Sequence, residues 1–436
     1  MKTLKNKSTI LLVLALAAAL LLSACGTAAL LASQDSDNSA AFSAANSDSA
    51  VSYAALSAEG SQSSAQSAGS SDTFSEAFSN RDLSGDYDAA EAVTVSLNGT
   101  SASASSDSVQ ISGSTVTITA AGTYILSGTL DNGSVIVNAT KDDKIQLVLD
   151  GVTIHSETFA AIYVVQADKV FVTLAEGSVN TLSNGGSFVQ IDDNDVDAVI
   201  FAKDDVTLNG SGKLVITSPA GHGIVGKDEV TITGGVYEIS SAKCAIRGKD
   251  SIAISDGSFT IKAGTDGLHA ENNDDDTLGN IYIAGGSFTI TAGDDAVHAN
   301  TLLRIDGGSL TISSAEGLEA TYIQINGGDI SISASDDGVN AAKKSSAYTP
   351  TFEMNDGTLT VVMGQGDTDG IDSNGNIIVN GGTINVTGQS SFDCDGTAQY
   401  NGGTIIVNGQ QVSAIPNQMM GGGMGGNGGM GGGRRR

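Results

Sequence analysis

Three consecutive stretches of this chain say nearly the same thing. IYIAGGSFTITAGDDAVHAN (281–300), LRIDGGSLTISSAEGLEAT (303–321) and IQINGGDISISASDDGVNAA (323–342) share one plan. Each has an alternating apolar start, a Gly-Gly turn, a second alternating strand, an acidic corner and a short third strand. The paired glycines begin at 285, 307 and 327, so one copy takes 20 to 22 residues. At roughly 3.3 Å per residue a copy is roughly 70 Å of strand, which suits one turn of a wide coil better than a globular domain. A fixed period of this kind decides the fold before any local signal is weighed.

The same plan extends in both directions. Apolar starts fall at Val206, Val230, Ile252, Ile281, Leu303, Ile323, Phe352 and Ile377, with turn glycines at 210, 235, 257, 286, 308, 328, 357, 382 and 403. Two coils are longer, carrying the insertions 271–279 and 343–351. Period-2 alternation rich in Val, Ile and Thr marks strands, and no helical periodicity competes with it. The chain is therefore expected to be all-β, a single-stranded right-handed parallel β-helix with roughly 20–25 residues per coil. A nine-residue calcium-roll repeat is excluded by the period. Regular coils are expected over 198–415, with 72–197 forming an N-terminal cap and irregular first coils. The stretch 72–92, with Phe74, Phe78, Leu83 and Tyr87, is expected to pack on the coil at a place the sequence does not specify.

The flanks read differently. A basic start, an apolar run from Ile10 to Leu22 and the ending Leu22-Ser23-Ala24-Cys25-Gly26 have the layout of a signal peptide. The ending resembles the bacterial lipobox. It implies cleavage after residue 24, lipidation of Cys25 and anchoring on the outer side of the cytoplasmic membrane, the lipid being the chain's one link to that membrane. Residues 25–71, dominated by Ser, Ala and Asp, are expected to be a disordered tether, and 416–436 a disordered Gly/Met-rich tail.

The formal charge is −29, from 20 cationic and 49 acidic residues. Removing Lys2, Lys5 and Lys7 with the signal leaves −32. Such a chain repels nucleic acid and invites divalent cations. Cys244 and Cys394 fall about six coils apart, roughly 29 Å at strand spacing, too far for a disulfide.

Aligning the third strands gives two columns expected to face outward. The first reads His222, Cys244, Asp266, Asp295, Glu316, Asp337 and Asp369. The second reads Val225, Arg247, His269, His298, Glu319, Asn340, Asp372 and Asp395, with Asp294, Asp336, Asp367 and Asp393 flanking them. Neighbouring coils lie ~4.8 Å apart. Two carboxylates at that distance repel by ~3.5 kcal/mol at an effective dielectric of 20. Such a run calls for protonation or for a cation among the acids, and calcium, which accepts six to eight oxygens in flexible geometry, suits it. A transition metal at His269 and His298 is the alternative, disfavoured by the surrounding oxygen donors. Two further patterns are structural in expectation. Asn209, Asp306, Asn326, Asn380 and Asn401 precede the turn glycines and should stack as a polar ladder, while Lys203-Asp204, Lys227-Asp228 and Lys249-Asp250 should form salt bridges between coils.

The stretches GIVGKDEVTITGG, AIRGKDSIAIS, TDGLHAEN, GDDAVHAN, AEGLEA, SDDGVNAA and GDTDGIDSNGNIIVNGGTI resemble a bacterial carbohydrate-binding family of calcium-containing parallel β-helices. The likeness covers roughly residues 90 to 410. It implies binding of cellulose or acidic, pectin-like sugars on a fold related to pectate lyases. It also makes Asp295, Glu316, Glu319, Asp337, Asn340, Asp369 and Asp372 the preferred calcium ligands, with Asp266, Asp294, Asp336, Asp367, Asp393 and Asp395 second. His269, His298 and Arg247 are expected to touch the sugar. The chain has no Trp, which favours acidic sugars over crystalline cellulose. The expected function is a monomeric, non-catalytic, calcium-dependent polysaccharide binder. The alternatives are a lyase using Arg247, Lys249 or Lys262 as base, and a passive adhesin.

Overall fold

A computed structural model describes residues 77–365 and 368–416, all within one compact unit of the chain. The signal, Cys25, the tether, Phe74, Asp367 and the Gly/Met-rich tail lie outside the described residues. The described residues are all-β, with one four-residue helix, Asn80–Leu83, among 36 strands. No described helix is long and apolar enough to cross a membrane.

Strands stack in three parallel rows, and in two coils one long strand, Asp295–Ile305 or Glu316–Ile325, runs from the third row into the first. In the first row Val206 pairs with Val230, Ile252, Ile281, Leu303, Ile323, Phe352 and Ile377 in succession. In the second, Tyr237 leads to Phe259, Phe288, Leu310, Ile330, Leu359 and Ile384. In the third, Ile246 leads to Leu268, Val297, Leu318, Val339, Ile371 and Phe392. All these side chains are buried in one apolar core running from Val95 to Ile405. Each coil covers the apolar face its neighbour exposes, which is how a stack of small units buries a continuous core. Along it the rings of Tyr237, Phe259 and Phe288 lie stacked, 4.9 and 4.6 Å apart. This open, mostly parallel pairing is consistent with a β-helix. Antiparallel pairs close its ends: Val93–Gly99 with Ala102–Ala104, Val109–Ser112 with Thr115–Ile118, and Thr404–Val407 with Gln410–Val412. Covered ends protect edges that would otherwise template aggregation.

Two devices hold the corners. Gly308 has φ +94°, and a Cβ there would lie 2.8 Å from the Gly286 carbonyl, so the stacked turns admit only glycine. Beside it runs the polar ladder. Asn326 Nδ2 donates to Asp306 (2.7 Å), Asn355 to Asn326 (2.7 Å), Asn380 to Asn355 (2.8 Å) and Asn401 to Asn380 (2.8 Å). Asn355 is a rung the sequence pattern did not single out. Asn209 stands apart from this run, accepting from Thr173 and donating to the carbonyls of Asp82 and Ser84.

Those last bonds place the segment before the first strand. Residues 77–88 form a strap across the outer face of the first row. Phe78 lies 5.8 Å from Tyr282, and the buried Asp82 carboxylate pairs with Lys169 at 2.8 Å and accepts from Thr207 at 2.5 Å. The Asp86 carbonyl accepts from Gln146. Ser79 and Asp82 cap each other across the short helix, which fixes the strap's bend.

Candidate functional site

The third row carries the acidic columns. Most of its strands have three to five residues, but Asp295–Ile305 and Glu316–Ile325 continue through the corner into the first row, and the alternation that sends Val297, Leu318 and Val339 inward sends the next residue outward. Register sets the second column as Val225, Arg247, His269, His298, Glu319, Asn340, Asp372 and Asp393. The last place belongs to Asp393, and Asp395 sits in the exposed turn beyond it. The reason is local: Phe392 fills the core beneath Ile371, so the residue after it must face out. The first column runs as expected and ends at Ser390, whose hydroxyl donates to Asp369.

Both columns alternate outward as expected, yet most of their acids are shielded from solvent. Asp266, Asp295 and Glu319 are 6, 5 and 4% exposed, and Glu316, Asp337, Asn340, Asp369 and Asp372 are half-buried. Asp294, Asp336 and Asp395 are the exposed members.

Burial splits the columns into two chemically distinct halves. In the upper half the acids already have cations. His298 Nδ1 lies 2.7 Å from both Asp295 Oδ2 and Glu319 Oε2, and Lys344 Nζ lies 2.8 Å from Glu319 Oε1. Burial alone would lower the His298 pKa, but Asp295 and Glu319 outweigh it and push it up to about 10. Glu319 is likewise carried down to about 2 by His298 and Lys344, against its burial. Asp295 rises to about 6, because its burial, with Glu319 beside it, outweighs the His298 hydrogen bond.

In the lower half, Glu316, Asp337 and Asp372 form no such ion pair with a described residue. Glu316 is raised to about 7 by burial and by the Glu319 charge. Asp337 rises to about 6 and Asp372 to about 7, through burial first and then the neighbouring aspartates. Asn340 stands between Glu319 and Asp372 in the column. Its Nδ2 donates to Glu316 (3.0 Å) and to Glu319 (3.4 Å), while its buried Oδ1 has no hydrogen-bond partner. Thr368 Oγ1, next to Asp369 in the chain, is also buried and unpartnered. Orphaned buried oxygens among carboxyls held back from ionising are what a hard cation would satisfy. The residues present fit calcium.

The basic candidates fall elsewhere. Arg247 binds Glu271 at 3.1 Å, and Lys249 binds Asp274 at 2.7 Å, both partners lying in or beside the long insertion. The expected bridge from Lys249 to a neighbouring Lys-Asp pair is therefore replaced by one to that insertion. Lys262 is exposed on the second row, in register with Ser240 and Thr291, away from the acidic corner. His269 shares the column with the acids but lies 2.9 Å from Asp266 and 3.4 Å from Glu271, so it serves the upper half.

Residues 112–370 and 318–414 match the family described as carbohydrate-binding domain-containing protein. The chain belongs to this family. A carbohydrate-binding domain-containing protein of Acetivibrio thermocellus is 37% identical over 131 residues, which are 30% of this chain and 46% of that relative. The chain thus matches less than half the length of that protein. Among solved structures, a polysaccharide lyase-like protein from C. thermocellum, determined as a gadolinium derivative, is similar at 30% identity and a TM-score of 0.50. That match covers 55% of this chain and 94% of the other. Family and fold together indicate a carbohydrate-binding domain whose fold resembles that of a polysaccharide lyase-like protein.

Proposed function

We propose that this chain is a calcium-dependent, non-catalytic binder of acidic, polygalacturonate-like or other plant cell-wall polysaccharide. It would act as a monomer, on a single-stranded right-handed β-helix held at the outer side of the cytoplasmic membrane through lipidated Cys25. The observation that carries the calcium reading is the unpartnered Asn340 Oδ1 among the raised carboxyls of Glu316, Asp337 and Asp372. Those residues and Asp369 would hold the ion, with Asp393 next in the column. Bound calcium would supply a positive charge able to bridge to sugar carboxylates. Gadolinium is itself a hard, oxygen-seeking cation, so its use in a derivative of the structural neighbour agrees with this reading.

The absence of catalysis is argued from the bases. A lysine acting as base must lose its proton near the working pH. Lys344, which lies 2.8 Å from Glu319, is moved the other way, because Glu319 outweighs its burial and raises its pKa. Lys249 is raised as well by Asp274, and Arg247 is committed to Glu271. Retention of the full chain on polygalacturonate, cellulose and xylan, with calcium and with chelator, tests the proposal. Calcium-dependent retention on polygalacturonate without unsaturated uronate products is expected. Release of those products would establish the lyase instead, and no retention on any of the three would end the binding reading.

A further inference from the structure

The upper end of the columns holds a cluster of different chemistry, which calcium does not explain. Cys244 and Asp266 occupy successive coils of the first column, and His269 follows Asp266 by three residues in the second. Cys244 Sγ lies 3.4 Å from Asp266 Oδ2, and His269 Nδ1 lies 2.9 Å from the same oxygen. All three donor atoms fall within 4.8 Å of one another. We propose that Cys244, Asp266 and His269 form a binding site for a borderline transition-metal ion of the zinc class, separate from the calcium pocket and independent of it.

Three observations support the site. The first is an atom short of a well-aligned partner: His269 Nδ1 is buried and lies 2.9 Å from Asp266 Oδ2 without good hydrogen-bond geometry, and with the ring proton on Nε2, toward Glu271, it would turn a lone pair into the cluster. A lone pair aimed into the cluster would be satisfied by an ion. Second, the spacing suits one. Zn–N, Zn–O and Zn–S bonds of about 2.0–2.3 Å at tetrahedral angles put donor atoms roughly 3.3–3.7 Å apart, close to the contacts found. Third, the outer partners are in place. His269 Nε2 faces Glu271 Oε2 at 3.4 Å, and Arg247 holds that carboxylate at 3.1 Å. A carboxylate behind a histidine is the usual support of a zinc ligand. Asp266 Oδ1 accepts from the Asp295 amide, leaving Oδ2 for the ion.

His222 precedes Cys244 in the column by one coil. It is 5% exposed, its Nδ1 is buried without a partner, and its Nε2 lies 3.5 Å from Asp197. Its imidazole is the next donor group along the column but stands outside the cluster of three donor atoms, so the fourth position is open to water. Thiol and imidazole donors select zinc-like ions over calcium. Without an ion, burial and the Asp266 charge hold the Cys244 thiol protonated, so binding must release that proton. The Asp295–His298–Glu319 group offers no equivalent, because its Nδ1 already contacts two carboxylates.

Cobalt(II) titration of the chelator-treated full chain, carrying no histidine tag, tests the assignment. A thiolate-to-cobalt band in the near ultraviolet should saturate at one equivalent. One equivalent of zinc should remove it, and millimolar calcium should not. Cys244→Ser should abolish the band, His269→Ala should weaken cobalt binding by more than tenfold, and Glu271→Gln should weaken it by about 10–100-fold. The proposal is overturned if the wild type gives no such band or if calcium displaces the cobalt. It also fails if the band survives Cys244→Ser, or if His269→Ala binds as tightly as wild type. Should Cys244→Ser not fold, the wild-type band with the His269→Ala affinity decides.

Discussion

His269 and His298 stack face to face, 4.6 Å between ring centroids and 17° between ring planes. The register puts them in adjacent coils of one column, yet their charge settings differ. His298 Nδ1 sits between two carboxylates and is held as a cation, whereas His269 Nδ1 meets one, Asp266 Oδ2 at 2.9 Å, without good hydrogen-bond alignment. Within the upper half the pair thus separates a histidine held by two acids from one that shares its acid with Cys244.

Calcium uptake should depend on the lower half of the columns and hardly on the upper. Asp337→Asn and Asp372→Asn are each expected to weaken calcium binding by roughly tenfold or more, since affinity follows the charge of the ligand set. His298→Gln should change it far less. Isothermal titration on chelator-treated protein measures this, and equal losses in all three variants would show that the division is wrong.

Without calcium, stability should fall as pH rises from about 5 to 7.5. Glu316, Asp337, Asp372 and Asp295 have folded pKa values of about 7, 6, 7 and 6, above their unfolded values near 4. The folded state therefore binds more protons in this window, so the stabilisation present at low pH is lost as they ionise. His222, lowered to about 4 by burial, opposes them between about 4 and 6.5, but it is one group against four. Glu319 acts only below this window. Saturating calcium should flatten or reverse the slope, and thermal melts across pH with chelator or calcium read it directly.

Asp82→Ala should cost about 3 kcal/mol, because it leaves Lys169 and Thr207 facing a gap where a buried anion stood. Urea unfolding gives the number. Faster proteolysis ahead of residue 93, with the coil itself resistant, would show that the loss is confined to the strap.

Removing one rung of the asparagine ladder should cost more in the middle than at the end. Asn355→Ala takes away a donor to Asn326 and an acceptor for Asn380, an expected loss of about 1–3 kcal/mol. Asn401→Ala removes one exposed terminal bond and should cost at most about 1 kcal/mol. Denaturant melts of the two variants compare them.

Much of this was legible in the sequence, for a physical reason: stacking forces equivalent residues of each coil into line. The inner columns, the glycine corners and the order of the acids follow from period and alternation alone. Asp393 could have been read the same way, since Phe392 continues the inward series. Asn355 was hidden because its turn reads Asn-Asp-Gly rather than Asn-Gly-Gly. What alternation could not supply was the charge balance. Lys344 reaches Glu319 from an insertion, and Arg247 turns to Glu271 in another, so neither pairing obeys the repeat. The strap was equally opaque, because capping bonds and one buried ion pair fix it, and these leave no periodic trace.

The strap also decides where the coil carries mechanical load. A pull from the N-terminal side enters through Phe78 on Tyr282 and Asp82 on Lys169, well inside the stack, before it reaches the strand that begins at Val93. The terminal turn, which has a neighbour on one side only and would unwind most readily, is shielded from that force. The coil should thus resist tension at its N-terminal end as a clamped object does, by shearing many contacts together rather than by peeling its first strand.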